Sequence, residues 1–251
     1  MDDQKLSDHV FDTYLSLRFG MALIAFIFPL TVVAVGWFVD QRLPIQNSLS
    51  AYYWASNSGF NQARIPFVGG LFAVGAFLYL YKGFTEKENY ALNAAALFAI
   101  GVASFPMKWT CDGCGGWTPH GFCAIGLFAC LVYVVWFRSS DTLPYLPPGE
   151  SPKKFARWYA LIGLFMAASP LIALVTNWVF GEKWFVILVE TLGVWAFAAY
   201  WYGKSKELKL SHATRMALAG AMPSPAHQKA SVRELIMKGN EPPPATNQRL
   251  A

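Results

Sequence analysis

Charged residues are scarce in this sequence. Asp, Glu, Lys and Arg make up 14% of its 251 residues, whereas a soluble domain of this size usually carries about a quarter. The charges that are present lie between long uncharged stretches, and 55% of all residues are hydrophobic. This composition is typical of a chain surrounded mostly by lipid and argues against a soluble globular protein.

Two further features are missing. The net charge is +5, but no basic stripe interleaved with aromatic residues gives the electrostatic footprint of a nucleic-acid binder. We therefore expect no nucleic-acid partner. A cleavable signal peptide is not expected either, because the chain opens with Asp2 and Asp3 and no small-residue cleavage site follows the first apolar run.

Apolar runs near the ~20 residues that a membrane-crossing helix needs are present six times. They are Phe19–Val39, Pro66–Tyr81, Ala91–Met107, Pro119–Phe137, Trp158–Trp178 and Trp184–Tyr202. The sequence therefore predicts an all-α fold, a polytopic bundle of six transmembrane helices. The expected parts are a cytoplasmic interfacial segment (1–18), the transmembrane domain (19–203) and a basic, Pro-rich, partly disordered cytoplasmic tail (204–251).

Lys and Arg residues are distributed unequally between the two ends of this bundle. Sixteen lie in the termini and in the second and fourth connections, and four lie in the other three connections. Since cytoplasmic segments carry the excess of basic residues, both termini are predicted to be cytoplasmic. We expect a multi-pass protein of the plasma (inner) membrane with membrane lipids as its surroundings and partners.

The most distinctive local pattern is a Cys/His cluster formed by Cys111, Cys114, His120 and Cys123. Four soft ligands at this spacing suit tetrahedral zinc. On the outer side of a membrane, however, thiols oxidise, and a disulfide of Cys111 with Cys114, or with Cys123, needs no metal. Unmodified thiols are the third alternative. We expect no cofactor, and zinc bound by this cluster is the alternative.

Glu190 is an acid inside the last apolar run. A carboxyl group at this depth is expected to face the bundle interior and to have a partner. One interpretation is a contact for a proton or a substrate, as in a small proton-coupled transporter. The other is a protonated side chain hydrogen-bonded to a neighbour such as Thr31 or Ser104.

The first outer connection contains an aromatic segment with Ser50, Tyr52, Tyr53 and Trp54. Its simplest interpretation is an anchor at the membrane interface, where aromatic rings are enriched. The alternative is a surface that binds a ligand or a partner, because the segment lies on the same predicted side as His120.

The segments Ser48-Leu-Ser-Ala-Tyr-Tyr-Trp54 and Arg64-Ile-Pro-Phe-Val-Gly69 resemble segments of uncharacterised bacterial multi-span proteins. In those proteins the first reads Ser-x-Ser-x-Tyr-Tyr-His, and the second reads Arg-Asp-x-Phe-Val-Gly. The similarity extends over most of residues 30–203, including Pro119-His-Gly121 and Glu190. It implies a multi-span membrane fold, and it implies no particular activity.

A looser similarity connects Ser50 with the membrane hydrolases of the ceramidase and adiponectin-receptor type. Their zinc site combines Ser-x3-His, an Asp and two further histidines. Here Trp54 replaces the first histidine, and Ile65 or Pro66 stands where the aspartate is expected. Because only His120 among four histidines lies near a span, the resemblance does not supply an active zinc hydrolase of that design.

These observations favour a non-enzymatic integral membrane protein that binds a lipid, or a membrane-protein partner, through its outer face. Two alternatives remain open at this point. One is a membrane-embedded enzyme that depends on a metal or thiol in the Cys/His cluster. The other is the transporter that uses Glu190 as its proton site.

Overall fold

The chain is built from six α-helices in the computed structural model, which describes residues 3–107, 118–180, 184–211 and 213. The helices are α1 (Asp3–Phe38), α2 (Arg64–Leu80), α3 (Glu86–Ser104), α4 (Pro119–Tyr133), α5 (Pro152–Phe180) and α6 (Trp184–Ser211). Since no β-strand occurs over these residues, the predicted all-α class is confirmed.

Four helical segments are long and apolar enough to cross a bilayer. They are Asp8–Phe38, Pro119–Tyr145, Pro152–Ile172 and Val186–Ser211. Helix α2 is apolar but has only 17 residues. The helices agree with the predicted apolar runs in number and position, and four of them meet the requirements for spanning a membrane.

The helices form a closed ring in which each one packs against its neighbours in sequence and α6 packs against α1. Small residues allow close approach at these contacts. A Cβ atom added to Gly75 of α2 would lie 3.2 Å from the carbonyl oxygen of Ala96 in α3. The ring therefore depends on glycine where α2 crosses α3.

Two connections fold against the bundle instead of running over its surface. The first contains a 3₁₀ helix, η1 (Leu49–Tyr53), between α1 and α2, and four of its five residues are buried. The second contains a 3₁₀ helix at Ser139–Tyr145 between α4 and α5, which begins with five buried residues. Backbone polar groups in such segments need partners inside the protein.

Helices α1 and α6 are longer than the apolar runs that predicted them. Helix α1 is unbroken from Asp3 to Phe38, and α6 continues past Tyr202 to Ser211. Residues 3–18, in the predicted interfacial segment, and residues 204–211, at the start of the predicted tail, therefore continue these two helices. The cause is that Arg18 and Lys204 are each only 1% exposed and have partners within the protein.

Lys204 forms a buried ion pair one helical turn from its partner, with 2.5 Å between its Nζ and the Oε2 of Glu207. The same carboxylate accepts hydrogen bonds from the hydroxyls of Thr142 at 2.6 Å and Tyr159 at 3.0 Å. Lys204 also donates to the carbonyl oxygen of Ser139 at 2.6 Å. This pair fastens the second inward-folded connection to α6.

Arg18 is stabilised mainly by aromatic rings. Its guanidinium lies 4.8 Å from the ring centre of Tyr81 and 4.7 Å from that of Trp201. It also donates a hydrogen bond of 2.5 Å to the hydroxyl of Tyr81. Cation–π contacts are stronger when they are removed from water, so Arg18 joins α1 to α2 and α6.

Replacing Lys204 by methionine should lower the free energy of unfolding by about 3–5 kcal/mol, because Glu207 is left as a buried charge without its cation. Thermal unfolding in detergent would measure the loss. The same change at Lys209, which is exposed on the same helix, should have little effect. Equal midpoints for the two variants would contradict a stabilising role for the buried pair.

Candidate functional site

The candidate site is built around η1, whose start is capped by a side chain. Ser48 has extended backbone angles, and its Oγ accepts a hydrogen bond from the amide of Ala51 at 3.1 Å. Serine is favoured at this position because its oxygen can reach an amide of the first turn. The local sequence therefore starts the 3₁₀ helix that carries Ser50.

Glu190 of α6 contacts this 3₁₀ helix. Its Oε2 accepts a hydrogen bond of 2.7 Å from the amide of Leu49. One of the two interpretations of Glu190 gave it a side-chain partner such as Thr31 or Ser104, whereas the partner found is a backbone amide. The hydroxyl of Thr31 donates to Phe28 within its own helix, at 2.8 Å. Glu190 thus connects α6 to the connection between α1 and α2.

His120 is the second side chain that reaches η1, and it is only 8% exposed. Thr118 caps α4 by accepting from the amide of Gly121 at 3.0 Å, which sets His120 in the first turn. The Nδ1 of His120 lies 2.8 Å from the carbonyl oxygen of Phe105, and its Nε2 lies 3.0 Å from the Oγ of Ser50.

These two contacts define the proton positions on the imidazole ring. A carbonyl oxygen can only accept a hydrogen bond, so Nδ1 must carry the proton that it shares with Phe105. In the neutral ring Nε2 then presents a lone pair to the hydroxyl of Ser50. The serine hydroxyl is therefore the donor in the Ser50–His120 hydrogen bond.

A cavity of about 120 Å³ lies beside this pair. Residues of η1 and of every helix except α5 contribute to its wall. The wall is apolar, with residues such as Phe67, Leu71 and Phe197, except where Ser50 and Glu190 line it. The structure therefore joins two predicted site residues, Ser50 and Glu190, in one cavity, and His120 is hydrogen-bonded to Ser50.

The aromatic segment does not form one exposed surface. Tyr52 is 1% and Tyr53 is 9% exposed, whereas Trp54 is 44% exposed. The Tyr52 ring packs closely on α1, where a Cβ atom at Gly36 would lie 2.9 Å from it. Burial raises the pKa of the Tyr52 hydroxyl. Tyr53 instead accepts a hydrogen bond of 2.5 Å from the guanidinium of Arg64.

The indole side chain of Trp54 contacts the chain that follows α3. Its indole Nε1 donates to the carbonyl oxygen of Met107 at 2.7 Å. This bond connects η1 to the chain that follows α3. Trp54 is thus the one residue of the aromatic segment that combines an exposed ring with a contact to another connection.

The predicted Cys/His cluster is described only in part. Cys111 and Cys114 lie outside the described residues, so their pairing or metal binding stays a prediction. Cys123 is a buried free thiol whose sulfur packs against Gly101. Over the described residues, no three His, Cys, Asp or Glu side chains converge to hold a metal ion. Both ring nitrogens of His120 are engaged by protein oxygens.

Asp40 and Phe105 are site residues that the sequence did not reveal. Asp40 is fully buried, and its carboxylate accepts from the amides of Gln62 at 2.7 Å and Ala63 at 2.8 Å. An acidic residue directly after an apolar run can indicate a contact of this kind, because a carboxylate is favourable near the N-terminus of the next helix. Phe105 contributes a backbone carbonyl, which no residue pattern identifies.

Replacing Glu190 by leucine should lower the free energy of unfolding by about 1–3 kcal/mol, because the amide of Leu49 loses its acceptor. Glu190→Gln retains an amide oxygen at this position and should lose less. Hydrogen exchange at Leu49 would separate the two variants, with faster exchange in the leucine variant. Equal protection in both would show that Glu190 does not hold η1.

No protein-family model matches this sequence, and comparisons with curated proteins and with solved structures give no match.

Proposed function

We propose that this chain is a six-span membrane protein, with both termini in the cytoplasm, that binds the acyl part of a lipid in the cavity beside η1. The observation that carries the proposal is the cavity itself. It is apolar along its walls and has Ser50 and Glu190 among its lining residues. A ligand with an apolar chain and a small polar group matches this distribution.

The size of the cavity limits what it can hold. An apolar cavity of ~150 Å³ is known to accept a benzene molecule, and this one measures about 120 Å³. It is therefore suited to a short stretch of an acyl chain and not to a whole lipid. Hydrophobic walls with a few placed polar groups are the usual design of a small-molecule site.

Packing supports membrane crossing by α2 and α3 as well as by the four longer helices. At 1.5 Å per residue, α2 and α3 are about 26 and 28 Å long, close to the ~30 Å of a hydrocarbon core. Both lie in the ring between α1 and α4. Apolar side chains on their outer faces, such as Ile65 and Leu97, are about two-thirds exposed.

The distribution of basic residues supports cytoplasmic termini. Arg18 and Lys204 belong to the basic side, but they are buried and contribute to packing. Without these two, the terminal side still has far more Lys and Arg than the side that carries η1. The orientation rule depends on such an excess close to the spans. On this basis η1 and the candidate site beside it lie on the side away from the cytoplasm.

Reporter fusions in a bacterial host would test this topology. After residues 85, 150 and 251, a fused green fluorescent protein should fluoresce and a fused alkaline phosphatase should be inactive, because both reporters would be cytoplasmic. After residues 58 and 182, the green fluorescent protein should not fluoresce and the phosphatase should be active. Active phosphatase after residue 85 would exclude the six-span arrangement.

Filling the cavity should remove lipid binding. Ala124 lines the cavity from α4, whereas Ala129 is exposed on the same helix. We expect Ala124→Phe to lower photolabelling by a diazirine-bearing monoalkyl glycerol ether about tenfold or more, because the ring occupies the space for the chain. Ala129→Phe is the matched control and should label normally. Equal labelling of both variants would place the lipid elsewhere.

A further inference from the structure

The geometry points to Ser50 and His120 as a nucleophile and its general base, which together cleave the ester bond of an acyl lipid held in the cavity. This inference rests on the proposed function, because it needs an acyl group in the cavity. It departs from the non-enzymatic role favoured by the sequence. The proposed reaction also uses none of the zinc ligands of the ceramidase-type hydrolases, which this sequence does not supply.

The arrangement of Ser50 and His120 matches that of a nucleophile and its base. A serine hydroxyl is a weak nucleophile until an adjacent base accepts its proton, and the base is in turn oriented by a third group. Here the Oγ of Ser50 lies 3.0 Å from the Nε2 of His120, and the carbonyl of Phe105 holds Nδ1 at 2.8 Å. The carbonyl takes the orienting position that an aspartate has in serine hydrolases.

Ser50 is accessible from the cavity. It is partly exposed and lines the cavity wall, whereas His120 is 8% exposed and is not among the lining residues. A carbonyl carbon in the cavity can approach Ser50 without displacing the imidazole. A hydrogen bond that only fastened η1 to α4 would not require Ser50 to line a cavity. The position of Ser50 on the cavity wall therefore favours a catalytic role.

The cavity wall near Ser50 also contains an acidic side chain. Glu190 also lines the cavity, and it holds the amide of Leu49, the residue before Ser50. Its carboxyl oxygens add a polar group to a wall that is otherwise apolar, and such a wall suits the ester end of an acyl lipid. Glu190 is therefore a positioning residue for η1.

The reaction follows from these positions. The Oγ of Ser50 attacks the ester carbonyl carbon, its proton passes to the Nε2 of His120, and the carbonyl electron pair moves onto oxygen. When that intermediate collapses, the carbon–oxygen bond to the alcohol breaks and the alcohol takes the proton from His120. Water then attacks the acyl-serine with the same proton transfers and releases the carboxylic acid and Ser50.

Covalent labelling of the full chain in detergent with a fluorophosphonate probe would test this inference. The probe should modify Ser50, as located by peptide mass spectrometry, and Ser50→Ala should abolish the modification. Ser56→Ala removes an exposed serine of the same connection and should leave labelling unchanged. Labelling at no serine, or equally in Ser50→Ala, would overturn the inference.

His120→Gln separates a catalytic base from a structural hydrogen bond. Glutamine can still accept a hydrogen bond from Ser50 but cannot take up its proton, so labelling should slow by about 10²-fold or more. An unchanged rate in a folded variant would overturn the role of His120. Thermal unfolding of each variant shows whether it is folded.

The same preparations would be labelled with the diazirine glycerol ether, which has no ester to cleave. Photolabelling in the cavity without fluorophosphonate labelling would overturn the inference and leave the proposed function standing. If the wild-type chain showed no photolabelling at the cavity, the proposed function would be overturned. Hydrolysis of short para-nitrophenyl esters that is lost in Ser50→Ala would support the reaction directly.

Discussion

The structure depends on how the connection between α1 and α2 enters the end of the bundle. A chain segment placed among apolar helices must find partners for its backbone amides, because unpaired groups cost several kcal/mol in such surroundings. Glu190 supplies one partner from α6, and Asp40 supplies two for the start of α2. These carboxylates make an inward-folded η1 possible.

Once η1 lies inside the ring, the candidate site follows. Its 3₁₀ turn brings Ser50 to His120, which belongs to α4 and lies 70 residues further along the chain. The turn also closes one wall of the apolar cavity. The site is thus a consequence of packing this connection against the helices.

The opposite end of the bundle follows the same physical rule with different residues. There the connection after α4 is fastened by Lys204 and Glu207, and Arg18 is enclosed by the rings of Tyr81 and Trp201. Each charge is matched by an opposite charge or an aromatic face, as buried ions require. The cavity of about 120 Å³ lies at the other end, beside η1.

The apolar runs of the sequence determined the membrane class, the helical fold and the approximate helix positions. Those properties depend on segment length and hydropathy, which are local. The sequence also pointed to Ser50, His120 and Glu190 as residues of interest. Their type and their depth within or near the spans were sufficient for that.

Only the tertiary structure decided which of these residues meet. Glu190 binds the amide of Leu49 and not the hydroxyls considered from sequence, and Tyr52 is buried although its segment lies in a connection. The carbonyl of Phe105 and the free thiol of Cys123 have roles that depend on neighbours distant in sequence. Hydropathy records how much of a segment avoids water, whereas partners are chosen by packing between helices, which no local pattern contains.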